Sequence, residues 1–293
     1  MNEFEIIQHY FQKSILGARN LILGPGDDAA ILAPSTKARV VCVDTLNENI
    51  HFPREAAAAD VGYKSLAVNL SDLAAMGATP QFALLALSLP DSDEKWLSAF
   101  ARGFFELADQ YDVLLIGGDL TRGSLSASVT VIGEVEKNYL TRSGAKVGDK
   151  IYVTGKLGGA GLALLHIKEN KPLDPYLHQR FYRPEPRIKE GLQLVNVASS
   201  CIDISDGLLG DLSHVLRQSK VGAKLFLDAI PFDGNLNLAL NAGEDYELCF
   251  TVAPENEPQL PADMICIGEI IAGDAKIVDE NNTELVVKSY QHF

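Results

Sequence analysis

Apolar strand-like runs and helical stripes interleave along this chain without one repeating βαβ period, and this irregularity constrains the fold most. A doubly wound sheet would repeat strand and helix at a regular spacing. The pattern here predicts two mixed α+β domains instead. Residues 39–44 read as a buried strand ending in a carboxylate, and 55–76 as an Ala/Leu-rich helix stopped by Gly77 and Pro80. Residues 81–89 form an apolar strand bounded by Pro90. Residues 93–111 read as a helix capped by Asp93, with Trp96, Phe100, Phe104 and Leu107 on one stripe. A short strand over 113–116 runs into Gly117-Gly118-Asp119. In 125–135, Leu125, Ala127, Val129 and Val131 alternate with Ser126, Ser128 and Thr130, which predicts a strand with one wetter face.

The polar run 141–149 is the candidate linker, so the domains are expected over 1–138 and 139–293. A length of 293 residues suits two domains of about 150 residues each. The second half predicts strands at 151–154, 224–227, 246–252, 265–270 and 285–287. Helices are expected over 161–169, 188–199 and 208–218, and a short one over 3–12 at the start. No fixed short repeat appears, which excludes a solenoid. The chain ends in the aromatic run Tyr290-Gln291-His292-Phe293.

Hydrophobic residues make up 47 % of the chain, enough for a sizeable core, and the formal net charge is −14. That balance opposes binding to nucleic acid or to anionic membranes. An anionic small substrate would need metal ions or a local basic patch. The four cysteines are scattered, form no CxxC and suggest no zinc site; they read as ordinary buried thiols. Residues 1–14 do not resemble a signal peptide, and no run reaches the roughly 18 apolar residues of a membrane span. The expectation is a soluble cytoplasmic protein.

The placement of the aspartates carries the chemistry. Asp27 and Asp28 follow a Gly-Pro-Gly turn, Asp44 and Asp119 each end an apolar strand, and Asp72 lies three residues after Asn69 on a helix. Asp203 and Asp206 flank Ser205. Carboxylates at the ends of buried strands are costly unless paired or metal-bound, and a divalent cation relieves their mutual repulsion. Such hard oxygen ligands suit Mg²⁺ bound together with substrate phosphates. The alternative is that each aspartate caps a turn or helix.

The run Gly155-Lys156-Leu157-Gly158-Gly159-Ala160-Gly161 looks like a phosphate loop at first sight, but it fits neither GxxxxGK[ST] nor GxGxxG, and a structural turn is the better reading. Gly117-Gly118-Asp119 offers backbone N–H groups to a nucleotide. No GxSxG elbow surrounds Ser205. His51 is either a phosphate donor or a plain loop histidine. Arg142 is either a phosphate contact or a solvated linker charge.

The chain resembles the thiamine-monophosphate kinases of the aminoimidazole-ribonucleotide-synthetase-like superfamily. Seven ordered runs carry the resemblance: 24–30, Asp44-Thr45-Leu46 with His51-Phe52, 63–78, Gly117-Gly118-Asp119, 148–155, 202–208 and 243–248. It implies an N-terminal domain with a mixed sheet and helices, two subunits joining those sheets into a β-barrel, and a C-terminal α+β domain. It implies ATP-dependent phosphorylation of thiamine monophosphate to thiamine diphosphate by a homodimer, with several Mg²⁺ ions. Asp28, Asp44, Asp72, Asp119 and Asp203 match the family's Mg²⁺ ligands, and Asp206 matches the ligand of a further ion. Gly118, Asp119, Arg142 and Ser205 match ATP contacts; His51, Glu244 and Tyr290 match thiamine-phosphate contacts. No general base is expected.

Cys42 and Val43 stand where many relatives have Ser-Thr, so any metal contact there must use backbone carbonyls. The 155–161 loop is shorter than usual, and Leu120 replaces a common Thr. Rival superfamily enzymes fit less well: the first cysteine is Cys42, inside a strand, and the chain ends His292-Phe293 rather than in cysteine. A nucleotide-binding regulator without turnover is the alternative from another class.

Overall fold

The computed structural model describes residues 3–12, 20–25 and 28–290. Gly26 and Asp27 of the first turn, part of the 1–14 stretch, and the tail residues Gln291, His292 and Phe293 lie outside the described residues. The chain divides into two compact units, Met1–Leu73 with Thr79–Lys137, and Ala74–Ala78 with Asn138–Phe293.

The first unit runs α1 (Glu3–Ile6), β1 (Leu21–Leu23), β2 (Ile31–Leu32), β3 (Ala38–Asn47), α2 (Ala58–Ala75), β4 (Thr79–Leu89), α3 (Glu94–Gln110), β5 (Leu114–Arg122) and β6 (Ser126–Val135). The helix expected over 3–12 is α1 followed by a π-helical turn, Ile7–Phe11. The main sheet has the order β3-β6-β4-β5, parallel only between β4 and β5. Strand alternation sorts its side chains by face. Ala127, Val129, Val131, Leu85 and Leu87 are buried on one face, while Val41 and Val43 stand 61 % and 60 % exposed on the other. Asp93 caps α3 by accepting the N–H groups of Lys95 and Trp96, and Trp96 stacks on Phe100 one turn on.

The expected β-barrel does not form. Both larger sheets are open, and in the first unit β3 and β5 remain as the two edges. Closure would require hydrogen bonds between edges three strand spacings apart, about 14 Å.

The second unit contains β7 (Lys150–Val153), α4 (Gly159–Lys168), α5 (Pro175–Tyr182), α6 (Ile188–Leu194), β8 (Ala198–Asp203), α7 (Leu208–Ser219), β9 (Gly222–Leu225), α8 (Leu236–Asn241), β10 (Leu248–Val252), β11 (Ile265–Ile271) and β12 (Ile277–Val278). Its six-stranded sheet has the order β12-β9-β11-β7-β10-β8 and is antiparallel except between β12 and β9. The apolar stripe Leu208, Leu212, Val215 and Leu216 packs with Ile151, Val153, Ile202 and Cys249 into one core.

Three expectations change here. The helix expected over 188–199 ends at Leu194, because Asn196 takes a left-handed φ of 81° and the chain turns into β8. Residues 285–287 form no strand; beside the isolated bridge of Glu284 with Val278, Leu285 N–H donates to Ile277 C=O at 2.8 Å. Helices α5 and α8 are additions. Each starts behind a side-chain cap, Asp174 on Leu177 N–H and Asn235 on Leu238 N–H, and each is too short for apolar periodicity to reveal. Cys201 and Cys249 are buried free thiols, and Cys42 and Cys266 are partly buried. Among the described residues no helix is long and apolar enough to cross a membrane.

Candidate active site

In the first unit, Asn69 organises the acidic residues. Its side-chain carbonyl accepts the Asp44 N–H at 2.9 Å, its amide donates to Ser65 C=O, and its backbone carbonyl accepts from Cys42 Sγ at 3.5 Å. Asn69 is fully buried, so β3 is pinned to α2 at Asp44, which lies inside the strand, three residues before its end. Asp72 follows Asn69 by three residues on the same helical face. Asn69 is thus bonded to Asp44 and lies one helical turn before Asp72. The Cys42 thiol is spent on the helix, and the Val43 side chain faces away and has no donor atom for a metal. Asp28 lies exposed just before β2.

Asp119 is not brought to this pair within the sheet. The register puts Asp44, Val129, Leu85 and Gly118 in one row and Thr45, Ser128, Ala86 and Asp119 in the next. Asp44 and Asp119 thus sit on opposite edge strands and opposite faces. Gly118 takes φ +155°, and a Cβ there would stand 1.8 Å from Leu85 C=O, so the β5 backbone needs glycine at this point.

His51 follows β3. Its Nδ1 accepts the Asn47 N–H at 3.0 Å, which leaves Nε2 as the protonated, donating nitrogen. The buried Lys64 donates Nζ to His51 C=O at 3.1 Å and holds this turn from below.

In the second unit, two loops carry the candidates and are laced by backbone hydrogen bonds. Glu244 N–H donates to Ser205 C=O and Tyr246 N–H to Ile204 C=O, both at 2.8 Å. Tyr290 N–H reaches Asp206 C=O at 3.4 Å, so Asp203, Ser205, Asp206, Glu244 and Tyr290 converge at the C-terminal end of β8. Arg142 is exposed, and its carbonyl accepts from Ser219 at the end of α7. His214 on α7 lies within electrostatic reach of both Arg142 and Asp206; burial, then Arg217 and Arg142, lower its pKa.

Asp211 is a residue the motifs did not single out. Its Oδ2 accepts the N–H groups of Ser205 and Asp206 at 3.0 and 2.9 Å and so shapes the loop. Burial, then the charge of Asp203, raises its pKa to about 8. A signal existed: Asp211 falls on the apolar stripe of 208–216, where a carboxylate needs a reason.

The glycine-rich turn turns out to be filled from within. Asp245, almost fully buried, accepts the N–H groups of Gly158 at 2.7 Å and Ala160 at 3.5 Å at the N-terminus of α4. The resemblance to a phosphate loop is physical, but the anion is the protein's own carboxylate. Two residues on, the buried Glu247 takes a bidentate pair from Arg187 at 2.7 Å, Arg180 Nη1 at 2.8 Å and the Thr154 hydroxyl at 2.6 Å. Burial alone would raise the Glu247 pKa, but Arg187 and Arg180 hold it below the ordinary glutamate value. The buried Asp245 and Glu247 alternate with Glu244 and Tyr246, which both take left-handed φ, 67° and 51°. The ionic anchors hold this strained segment in place.

Among the described residues no three His, Cys, Asp or Glu side chains come together as a cluster able to hold a metal. Asp203 and Asp206 form a small set, both within electrostatic reach of Asp211. Hard oxygen donors in such sets fit Mg²⁺, which takes one or two carboxylates and fills its shell with phosphate oxygens and water. Carboxylates of this kind would hold Mg²⁺ only together with ligands supplied by bound phosphates and water, not as a closed protein cage.

Residues 26–135 match the family described as AIR synthase related protein, N-terminal domain, and residues 146–280 its C-terminal domain. The thiamine-monophosphate kinase of Escherichia coli (strain K12) is 44 % identical over 319 aligned positions, covering 99 % of this chain and 98 % of the relative. Thiamine-monophosphate kinase from Stenotrophomonas maltophilia K279a superposes with a TM-score of 0.84 at 43 % identity, covering 90 % of this chain and 92 % of that one. A structure of AaThiL complexed with AMPPCP and TMP gives 0.81 at 32 % identity, covering 91 % of each chain.

Proposed function

The chain belongs to the AIR synthase related family, among its thiamine-monophosphate kinases, and from this we infer how its residues serve that reaction. The enzyme transfers the γ-phosphoryl group of ATP to the phosphate of thiamine monophosphate, giving thiamine diphosphate and ADP. The attacking oxygen belongs to a phosphate whose second pKa is about 6, so it is largely ionised near neutral pH and no general base is needed. The task is to hold two anions in line.

The observation that carries the assignment of roles is the 2.8 Å bond from Glu244 N–H to Ser205 C=O. It fastens a residue of the acceptor site to one of the nucleotide site, and direct transfer requires those sites to be neighbours. Ser205, Gly118, Asp119 and Arg142 are assigned to ATP. His51 offers its Nε2–H to the acceptor phosphate, Glu244 offers a carboxylate, and Tyr290 offers an aromatic face to the ring system. Asp28, Asp44, Asp72, Asp119, Asp203 and Asp206 are assigned to Mg²⁺, with the backbone carbonyls of Cys42 and Val43 as further oxygens. Mg²⁺ bound there would offset the charge of the phosphates. The working form is assigned as a cytoplasmic homodimer, on the strength of the exposed Val41 and Val43 beside the sheet edge.

The test is incubation with ATP, Mg²⁺ and thiamine monophosphate, resolving products by chromatography beside controls with free thiamine and with no acceptor. Equal amounts of thiamine diphosphate and ADP, dependent on the monophosphate and on Mg²⁺, are expected. ADP release that ignores the acceptor would overturn the reading.

A further inference from the structure

Helix α7 opens Leu208-Leu209-Gly210, and Gly210 is buried in its first turn. Glycine is a poor helix former beside alanine, because it gives up more backbone freedom on folding. A glycine inside a buried helical turn therefore calls for a steric reason, and residue 289 supplies one. A Cβ placed on Gly210 would stand 2.5 Å from Ser289 Cβ, 3.4 Å from its Oγ and 3.6 Å from its Cα. Non-bonded carbon atoms prefer about 3.5–4.0 Å, and a Cβ moves only with its backbone. A methyl group at 210 would therefore push the backbone at 289 away from the helix.

The segment after β12 is anchored at both ends. Leu285 packs partly buried against the core of the unit and donates its N–H to Ile277 C=O at 2.8 Å. Val286, Val287 and Lys288 stand exposed, and burial returns at Ser289, where the segment meets Gly210. The next residue, Tyr290, donates its N–H to Asp206 C=O at 3.4 Å. That bond is longer than the usual N–H···O range, so the contact of Ser289 with α7 does more to fix where the segment crosses. The consecutive carbonyls of Ile204, Ser205 and Asp206 thus receive the N–H groups of Tyr246, Glu244 and Tyr290.

We propose, on the assignment of Tyr290 to thiamine monophosphate, that Gly210 is a positioning residue for the acceptor. Its missing side chain lets residues 285–290 seat against α7, and this seating sets Tyr290 beside the loop paired with Glu244. The effect falls on the acceptor and not on the nucleotide. The N–H groups of Ser205 and Asp206 are held by Asp211, through bonds in which Gly210 takes no part.

The experiment compares the wild type with Gly210→Ala and with Gly210→Ala/Ser289→Gly, each as the full chain. Hydrogen exchange of the peptide spanning 285–290 reads the seating, and steady-state kinetics reads its consequence. Gly210→Ala is expected to speed exchange in that peptide about fivefold or more. It should raise KM for thiamine monophosphate by about the same factor, with kcat and KM for ATP within about twofold. Ser289→Gly removes the atom that the new methyl group meets, so the combined variant should return both readings most of the way to the wild type. Unchanged exchange in Gly210→Ala, or no recovery in the combined variant, overturns the seating. An unfolding temperature lowered by Gly210→Ala and not recovered by Ser289→Gly would show that the glycine serves the core, and overturns it too. Tyr290→Ala separates the two readings. If it raises KM for thiamine monophosphate while Gly210→Ala speeds exchange without changing KM, the positioning role falls and the acceptor assignment stands. If Tyr290→Ala leaves KM unchanged, the acceptor assignment falls and takes the positioning role with it, and exchange alone judges the seating.

Discussion

Gly158 donates its backbone N–H to the Asp245 carboxylate at 2.7 Å, so the glycine-rich turn at the head of α4 already holds an anion belonging to the chain. Replacing Asp245 by Ala strips that anion from a buried helix terminus and from Arg180. The loss of stability should be about 3 kcal/mol, the scale for breaking a buried charged contact. ATP affinity should change far less, because the N–H groups of this turn are already taken by Asp245. Urea unfolding and nucleotide titration check the two halves, and a collapse of ATP binding in folded protein would return the turn to the nucleotide site.

Glu247→Gln should destabilise the fold by about 3–5 kcal/mol near neutral pH, since it leaves two guanidinium groups facing a neutral amide. The folded-state pKa of Glu247 is depressed below the ordinary value of 4.5. Its contribution is therefore present above that value and is lost as pH falls through the folded-state pKa. The gap between wild type and variant should narrow on acidification. A gap that stays constant from neutral to acidic pH would show that packing, not charge, is lost.

Asp72→Asn should lower turnover by at least ~100-fold while leaving thermal unfolding nearly unchanged, because Asp72 is assigned to Mg²⁺ and occupies a partly exposed helical position. Near-normal activity at saturating Mg²⁺ would remove Asp72 from the metal set.

Glu244→Gln should raise KM for thiamine monophosphate more than KM for ATP, since its side chain is assigned to the acceptor while its backbone serves the loop pairing. Equal changes in both constants would place Glu244 outside the acceptor site.

Much of this was legible in order of residues. The alternation in 125–135 is the two-faced strand β6, the Asp93 cap starts α3, and Asp203 ends β8, whereas Asp44 and Asp119 lie inside β3 and β5, which run on for three more residues each. Short capped helices were not legible, because one or two turns leave no apolar period to read. Asp211 was missed for another reason. It lies inside a helical stripe that reads as core, and only its acceptance of two loop N–H groups shows its purpose.

What the sequence by itself determined is the chemistry available: seven ordered motifs, carboxylates at the ends of buried runs, and no nucleophile elbow or nucleotide loop of the common kinds. The tertiary structure alone decided which groups meet. It gave the glycine-rich turn to Asp245, tied Asp44 to α2 through Asn69, and left Asp119 on the far edge of an open sheet. The physical reason is that pairing depends on register and burial. A local pattern specifies that a carboxylate must be compensated, but its partner is chosen by whatever the fold brings within hydrogen-bonding distance.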